Sequence, residues 1–286
     1  MANLKEIRNR ISSVSSTMQI TSAMKMVSAA KLKKAQDAIT AMRPYSDKLT
    51  ELLQSLSATL DADFGSKFAL EREVSRVLLV PITSNRGLAG AFNSNIIKET
   101  LRLSSEDYSN AEISYVSIGK KANDAFKKTE YLIADRSKIF DDLTYDSASH
   151  IAEFLMDTFV DGKVDKVVLV YNKFKNAATQ EIMTEQFLPI VPAKDTQNSN
   201  LDYIFEPSKA EIIEQLIPKS LKTQLFKAIR DSFASEHGAR MTAMHKATDN
   251  ASELRDELKL TYNKARQASI TNEILEIVGG AEALNS

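Results

Sequence analysis

The residues best placed for chemistry lie in SNRGLAGAFNSN, Ser84 to Asn95, between a stretch that reads as a strand and one that reads as a helix. At such a junction a nucleotide-binding α/β protein keeps the glycines whose backbone N–H groups cradle a phosphate. The spacing here is Gly87-x-x-Gly90, without the G-x-G-x-x-G order and without a Gly-Lys-Ser/Thr sequence. The turn therefore reads as a tight strand-to-helix connection using two glycines, with anion binding the lesser reading. His237 and His245 stand eight apart on one helical stretch, beyond the i, i+4 spacing of a helical metal pair, and His150 belongs to another part of the chain. Cysteine is absent, which removes thiolate metal sites, disulfides and a cysteine nucleophile. Carboxylates are plentiful, but no spacing singles out an acid/base pair. On residue types the chain reads as non-catalytic, with no cofactor and no metal expected.

Two stretches offer binding rather than catalysis. KLKKAQ places Lys31, Lys33 and Lys34 on one helix. Such a run is ordinarily a solvated face, and docking of an acidic partner or of phosphate is the second reading. RQASITNEILEIVGG is more pointed, because Ile270, Ile274, Leu275, Ile277 and Val278 nearly encircle a helix close to the C-terminus. An apolar helix end without a partner in its own chain is a binding surface; the bland alternative folds it back on the first helix. Nucleic acid is a poor fit: net charge is −1, tryptophan is absent, and no aromatic residues interleave the lysines.

The elements that must carry these residues fall into three parts, 1–60, 74–206 and 208–286. With 43% hydrophobic and 26% charged residues the 286-residue chain is globular in composition, and only 8 glycines and 6 prolines interrupt it. No run reaches the 18 apolar residues of a membrane span, and MANLKEIRNR lacks the apolar core of a secretory leader, so a reducing cytosolic compartment is expected. Charge is uneven: residues 1–50 hold nine Lys/Arg against three Asp/Glu, whereas residues 51–207 hold 17 against 24.

In the first part Leu4, Ile7, Ile11, Val14 and Met18 step by three and four, the seam of a coiled coil. Ile39, Met42, Ser46, Leu49, Leu53, Leu56 and Leu60 continue it in what reads as a shifted frame, with a bend expected at Pro44. Asn3 with Glu6 reads as the capped start. The middle part alternates short apolar runs (VSRVLLVPI, ISYVSIG, EYLIAD, VDKVVLVYN) with amphipathic stretches (NSNIIKETLRL, KKANDAFKK, SASHIAEFLMDTF). Runs apolar on both faces belong to a parallel sheet covered by helices, so a Rossmann-like α/β domain is expected, with TQEIMTEQFLPI as an antiparallel neighbour. The last part starts at a capping box, Ser208 with Glu211, and runs to a stop at Gly279, with Pro218 and Gly238 as weak points. Its seam is Met244, Ala247, Ala251, Leu254, Leu258, Thr261, Ala265, Ala268, Asn272 and Leu275. The fold class is thus α/β: a long antiparallel coiled coil of the N- and C-terminal helices plus a central Rossmann-like domain. The last helix is the longer, so its tip projects past the start of the first. From the residues alone, a non-catalytic coiled-coil adaptor with an α/β binding domain remains an open alternative.

EIRNRISSVSSTMQITSAMKMVSAAKLKKAQ, SNRGLAGAFN and ARMTAMHKATDNASELRDELKLTYNKARQASITNEILEIVGGAEAL resemble, in this order and over the whole length, the gamma subunits of F-type ATP synthases. The resemblance implies the central rotor shaft, non-catalytic itself, which couples proton flow to ATP synthesis or hydrolysis at the beta subunits. Its implied partners are the alpha and beta subunits, the epsilon subunit and the c-subunit ring. Arg266, Gln267 and Thr271 match residues that contact a loop of beta, and Met24 and Lys25 match the region facing beta's acidic lever, where Lys25, Lys31 and Lys33 find counter-charges. The apolar tip matches the bearing. Pro44 and Tyr45, with Tyr203 to Pro207, match the foot that approaches the membrane ring and epsilon. Lacking the redox cysteines of chloroplast relatives and an Arg/Ser-rich leader, the chain is expected to be of bacterial type, on the cytoplasmic side of the inner membrane.

Overall fold

The computed structural model describes residues 4–57, 67–70, 72–190 and 209–285. Ten main elements follow one another: α1 (Leu4–Ser57), β1 (Arg76–Pro81), α2 (Phe92–Arg102), β2 (Glu112–Ser117), α3 (Lys120–Phe126), β3 (Leu132–Asp135), α4 (Tyr145–Val160), β4 (Lys166–Phe174), β5 (Gln180–Leu188) and α5 (Lys209–Asn285). The expected starts at Asn3 and Ser208, the seam residue Leu60 and the foot residue Tyr203 lie outside the described residues.

The chain packs as two units that cut across the three parts read from sequence. One holds Met1–Ser28 and Met241–Ser286; the other is Ala29–Arg240. In the larger unit the sheet order is β3-β2-β1-β4-β5. β1 pairs in parallel with both β2 and β4, and β5 is antiparallel to β4. β1 and β4 are buried at nearly every position because both of their faces are covered, as parallel strands require. On one face Ile96 of α2 and Ala122 and Phe126 of α3 pack on Val77, Leu79, Val168 and Val170. On the other, Ile151, Leu155 and Phe159 of α4 join Ile217, Leu221, Leu225 and Ile229 of α5 over Leu78, Val80, Val167 and Leu169. The first third of α5 is therefore a core helix of the sheet unit.

In the smaller unit α1 and α5 lie side by side and antiparallel. Arg8 Nη2 donates to Tyr262 Oη (2.7 Å), Arg255 Nη1 lies 3.6 Å from Met18 Sδ, and the Thr21 and Thr248 hydroxyls are 2.8 Å apart. Each step toward the C-terminus on α1 is thus a step toward the N-terminus on α5.

Several sequence expectations are corrected. The seam of α1 does not shift frame: the inward positions run Leu4, Ile7, Ile11, Val14, Met18, Thr21, Lys25, Ser28, Leu32, Ala35, Ile39, Met42, Ser46 and Leu49 in unbroken steps of three and four. The break was apparent only because most of its central members, Thr21, Lys25, Ser28 and Ala35, are small or polar. On α5, Leu254 and Thr261 are exposed, and the seam runs through Thr248, Arg255 and Tyr262 instead. Gly279 does not stop the helix, which continues to Asn285. Nothing surrounds Gly279 or Gly280, and helix formers follow them, so propagation continues at a cost of roughly 1 kcal/mol per glycine. Pro44 does not divide α1, as expected, and Pro218, expected as a weak point, lies inside the unbroken α5; exposed Pro44 projects from the side of α1 opposite its buried residues.

Candidate functional site

The turn at Ser84–Asn95 stands where an open α/β sheet binds ligands, outside the carboxyl ends of β1 and β4, the point at which the strand order reverses. Its polar groups are already engaged. Ser84 N–H donates to Asn93 Oδ1 (2.9 Å), and Ser84 Oγ donates to Arg86 O (2.6 Å). Asn85 accepts from Lys120 N–H (2.9 Å) and donates to Ser137 O (3.0 Å), tying three loops together. Asn172, at the end of β4, donates to Phe92 O (3.2 Å) at the start of α2. The turn bends through Leu88 (φ 61°) and Gly90 (φ 57°), both left-handed. Gly87 has an ordinary φ and room for a side chain, so the second glycine expected from sequence is not what the bend uses.

The crevice above these strand ends is filled by α5. Ser232 Oγ donates to Ile82 O (3.4 Å) and Ser235 Oγ to Asn172 O (3.0 Å), so two strand-end carbonyls that a ligand would address are held by helix serines. Arg240 donates through Nη2 to Arg86 O (3.1 Å) and Gly87 O (3.2 Å), through Nε to Gly87 O (3.3 Å), and through Nη1 to Glu236 Oε1 (2.6 Å). Arg240 and Glu236 are both buried. Burial pushes the Glu236 carboxyl up and the Arg240 charge opposes this. His237, buried between them with neither ring nitrogen hydrogen-bonded, is pushed down to about 4 by burial, then by the charges of Arg240 and Lys31. The Phe233 ring meets it edge-on at 4.5 Å. Gly238, expected as a weak point, lies where the β4–β5 hairpin comes closest: a Cβ there would stand 3.0 Å from Ala177 O. None of these helix residues was legible as a site, because only the fold brings them over the turn.

The smaller unit presents a different surface. Arg266, Gln267, Ile270, Thr271, Ile274, Leu275, Ile277 and Val278 all lie on the stretch from Arg266 to Ala281, in which every residue is exposed. The antiparallel register carries Leu4, the first described residue of α1, to the neighbourhood of Arg266, so the helix beyond has no described α1 residue opposite it. The apolar residues there keep half to two-thirds of their surface in water: Ile270 49%, Ile277 66%. Thr271 Oγ1 donates back to Gln267 O (2.9 Å). Met24 and Lys25 are half-buried at the edge of the helix pair, and Lys25 Nζ lies 3.3 Å from His245 Nδ1. Beside them Ile20, Met26 and Val27 are exposed, an apolar face that the seam analysis passed over. In the larger unit Lys31, Lys33, Lys34, Pro44 and Tyr45 are exposed along α1. Among the described residues no three His, Asp or Glu gather as metal ligands.

The larger unit is thus a mostly parallel sheet whose ligand crevice is closed by its own helix, and the smaller unit is a helix pair with one end that no described residue covers. Residues 3–284 match the family model described as ATP synthase. The chain is 70% identical over 285 residues to the ATP synthase gamma chain of Christiangramia forsetii, covering the full length of both, and 69% identical to that of Flavobacterium psychrophilum, covering 99% of each. The chain belongs to the ATP synthase gamma chain family. Its fold is also that of a chain in the solved Euglena gracilis mitochondrial ATP synthase, with a TM-score of 0.70 at 21% identity, covering 98% of this chain and 94% of that one.

Proposed function

We propose that this chain is the central rotor shaft of an F-type ATP synthase, coupling proton flow through a membrane sector to ATP synthesis or hydrolysis at the beta-subunit sites. The bare end of α5 carries the reading. An apolar helix end in water is a liability unless another molecule encloses it, and a collar of alternating alpha and beta subunits would do so. In this reading Ile270, Ile274, Leu275, Ile277 and Val278 form the bearing, and Arg266, Gln267 and Thr271 contact a loop of beta. Met24 and Lys25 face beta's acidic lever. Pro44 and Tyr45, with Tyr203, form a foot toward epsilon and the c-ring. A rod with a different face on each side favours a different conformation in each catalytic subunit, so rotation shifts their binding preferences in turn. No helix among the described residues is long and apolar enough to cross a membrane. The reading attaches the chain through its partners, on the cytoplasmic side of a bacterial inner membrane.

The test is co-purification through an affinity tag placed near Asn198–Asn200, with ATP hydrolysis assayed in the eluate and in the chain alone. Hydrolysis confined to an eluate that contains two larger nucleotide-binding subunits is expected. A chain ending at Lys264 should still assemble but pump fewer protons per ATP. Recovery of a solitary chain that hydrolyses ATP by itself would sink the reading.

A further inference from the structure

We propose that Arg240, oriented by Glu236, is the positioning residue that stops α5 from turning in the crevice of the sheet unit when the shaft is under load, an inference that rests on the rotor reading. Between Asp231 and Arg240 eight of ten helix residues are buried, so the sheet unit surrounds the helix on nearly every side. Six of these eight, Asp231, Ser232, Ser235, Glu236, His237 and Arg240, are polar or charged, so apolar packing, which is non-directional, does little here to fix the rotation of the helix about its axis. Hydrogen bonds to fixed carbonyls are directional. Successive residues point about 100° apart around a helix, so a rotation by one residue breaks all of them together.

The Arg240 fork supplies the strongest of these bonds. Its guanidinium reaches two consecutive carbonyls, Arg86 O and Gly87 O, while Glu236 takes the remaining edge and fixes the plane. The carbonyls belong to a turn that cannot yield easily, with Leu88 held left-handed and Ser84 tied to Asn93. Ser235 and Ser232 add weaker pins on β4 and on Ile82 just past β1, and Gly238 lets the β4–β5 hairpin close against the helix. A lysine at 240 would bring the charge without the two-pronged geometry.

The experiment uses inverted membrane vesicles holding the whole complex, with Arg240→Gln, Arg240→Lys, Ser235→Ala and the unaltered chain. ATP hydrolysis and ATP-driven proton uptake are measured together while a protonophore sets the opposing gradient. Slip, meaning ATP hydrolysed without a proton moved, should rise about tenfold in Arg240→Gln at full gradient and about threefold in Arg240→Lys and Ser235→Ala, the scale of one lost charge-assisted or neutral hydrogen bond. The excess should vanish as the gradient is collapsed, which a merely loosened fold would not produce. Slip equal to that of the unaltered chain at every gradient, or raised slip independent of the gradient, overturns the proposal. Should Arg240→Gln fail to assemble, Arg240→Lys and Ser235→Ala decide it by the same criteria. An unaltered complex that hydrolyses ATP without pumping would remove the rotor reading itself, whatever the variants do.

Discussion

His237 illustrates how a single residue can be costly where it stands. Its ring is buried, neither nitrogen has a hydrogen-bond partner, and burial with the Arg240 and Lys31 charges holds its pKa near 4, below the usual 6.5. Between those values the unfolded chain binds the proton and the folded one does not, so stability falls as pH drops through this window. His237→Leu should therefore lose less thermal stability than the unaltered protein between pH 7 and pH 4.5, as read by melting midpoints. Glu236 and Asp231 are both pushed up by burial and act in the opposite sense. They are present in both proteins, so the difference between the two melts isolates the histidine. An equal loss in both would refute the assignment. Gly238 makes the complementary point about size. Gly238→Ala places a Cβ 3.0 Å from Ala177 O, and we expect about 1–2 kcal/mol of destabilisation by equilibrium unfolding although alanine is the better helix former.

At the scale of the element, the seam of the helix pair is unusual in its polar centre. The Thr21 and Thr248 hydroxyls are 2.8 Å apart, so one donates to the other, and the accepting hydroxyl donates to the carbonyl one turn back on its own helix, Met18 O or Met244 O. Replacing one threonine by valine removes the shared bond, at about 1 kcal/mol, and leaves the other hydroxyl on its own carbonyl, so replacing both costs little more than replacing one. Amide exchange around Met244–Ser252 should accelerate in Thr21→Val and in Thr248→Val, and little further in the double variant. Strict additivity of the two effects would argue against the shared bond. The same pair of helices explains why a count of apolar residues misread the seam twice. Arg255 and Tyr262 bring long side chains whose stems or rings pack inward while their polar ends reach Met18 and Arg8 across the pair.

For the whole molecule the informative contrast is between a closed crevice and an open helix end. The Rossmann-like sheet offers a ligand site that α5 occupies, whereas the α5 tip offers apolar surface that nothing described in the chain covers. Under the rotor reading, charge at the first helix should matter for coupling more than for stability, because Lys25 is only half-buried and its neighbour His245 is exposed. Lys25→Glu should lower proton pumping per ATP hydrolysed, measured by fluorescence quenching in inverted vesicles, while leaving the melt of the complex within about 0.5 kcal/mol of the unaltered one. Unchanged pumping would detach Lys25 from the lever.

The alternation of doubly apolar runs with amphipathic stretches determined the four parallel strands, the antiparallel neighbour and the three short helices, because strand and helix periodicities are local properties of the chain. The apolar residues crowded near the C-terminus likewise announced an apolar helix end, which the structure leaves exposed. Only the tertiary structure decided that α1 keeps one frame through Thr21, Lys25 and Ser28, that α5 passes through Gly279, and that Ser232, Ser235, Glu236 and Arg240 close the crevice over Gly87. Those outcomes depend on what stands opposite each residue, some 150 positions away for Arg240 and Gly87, and no local pattern of residue types encodes a partner at that distance.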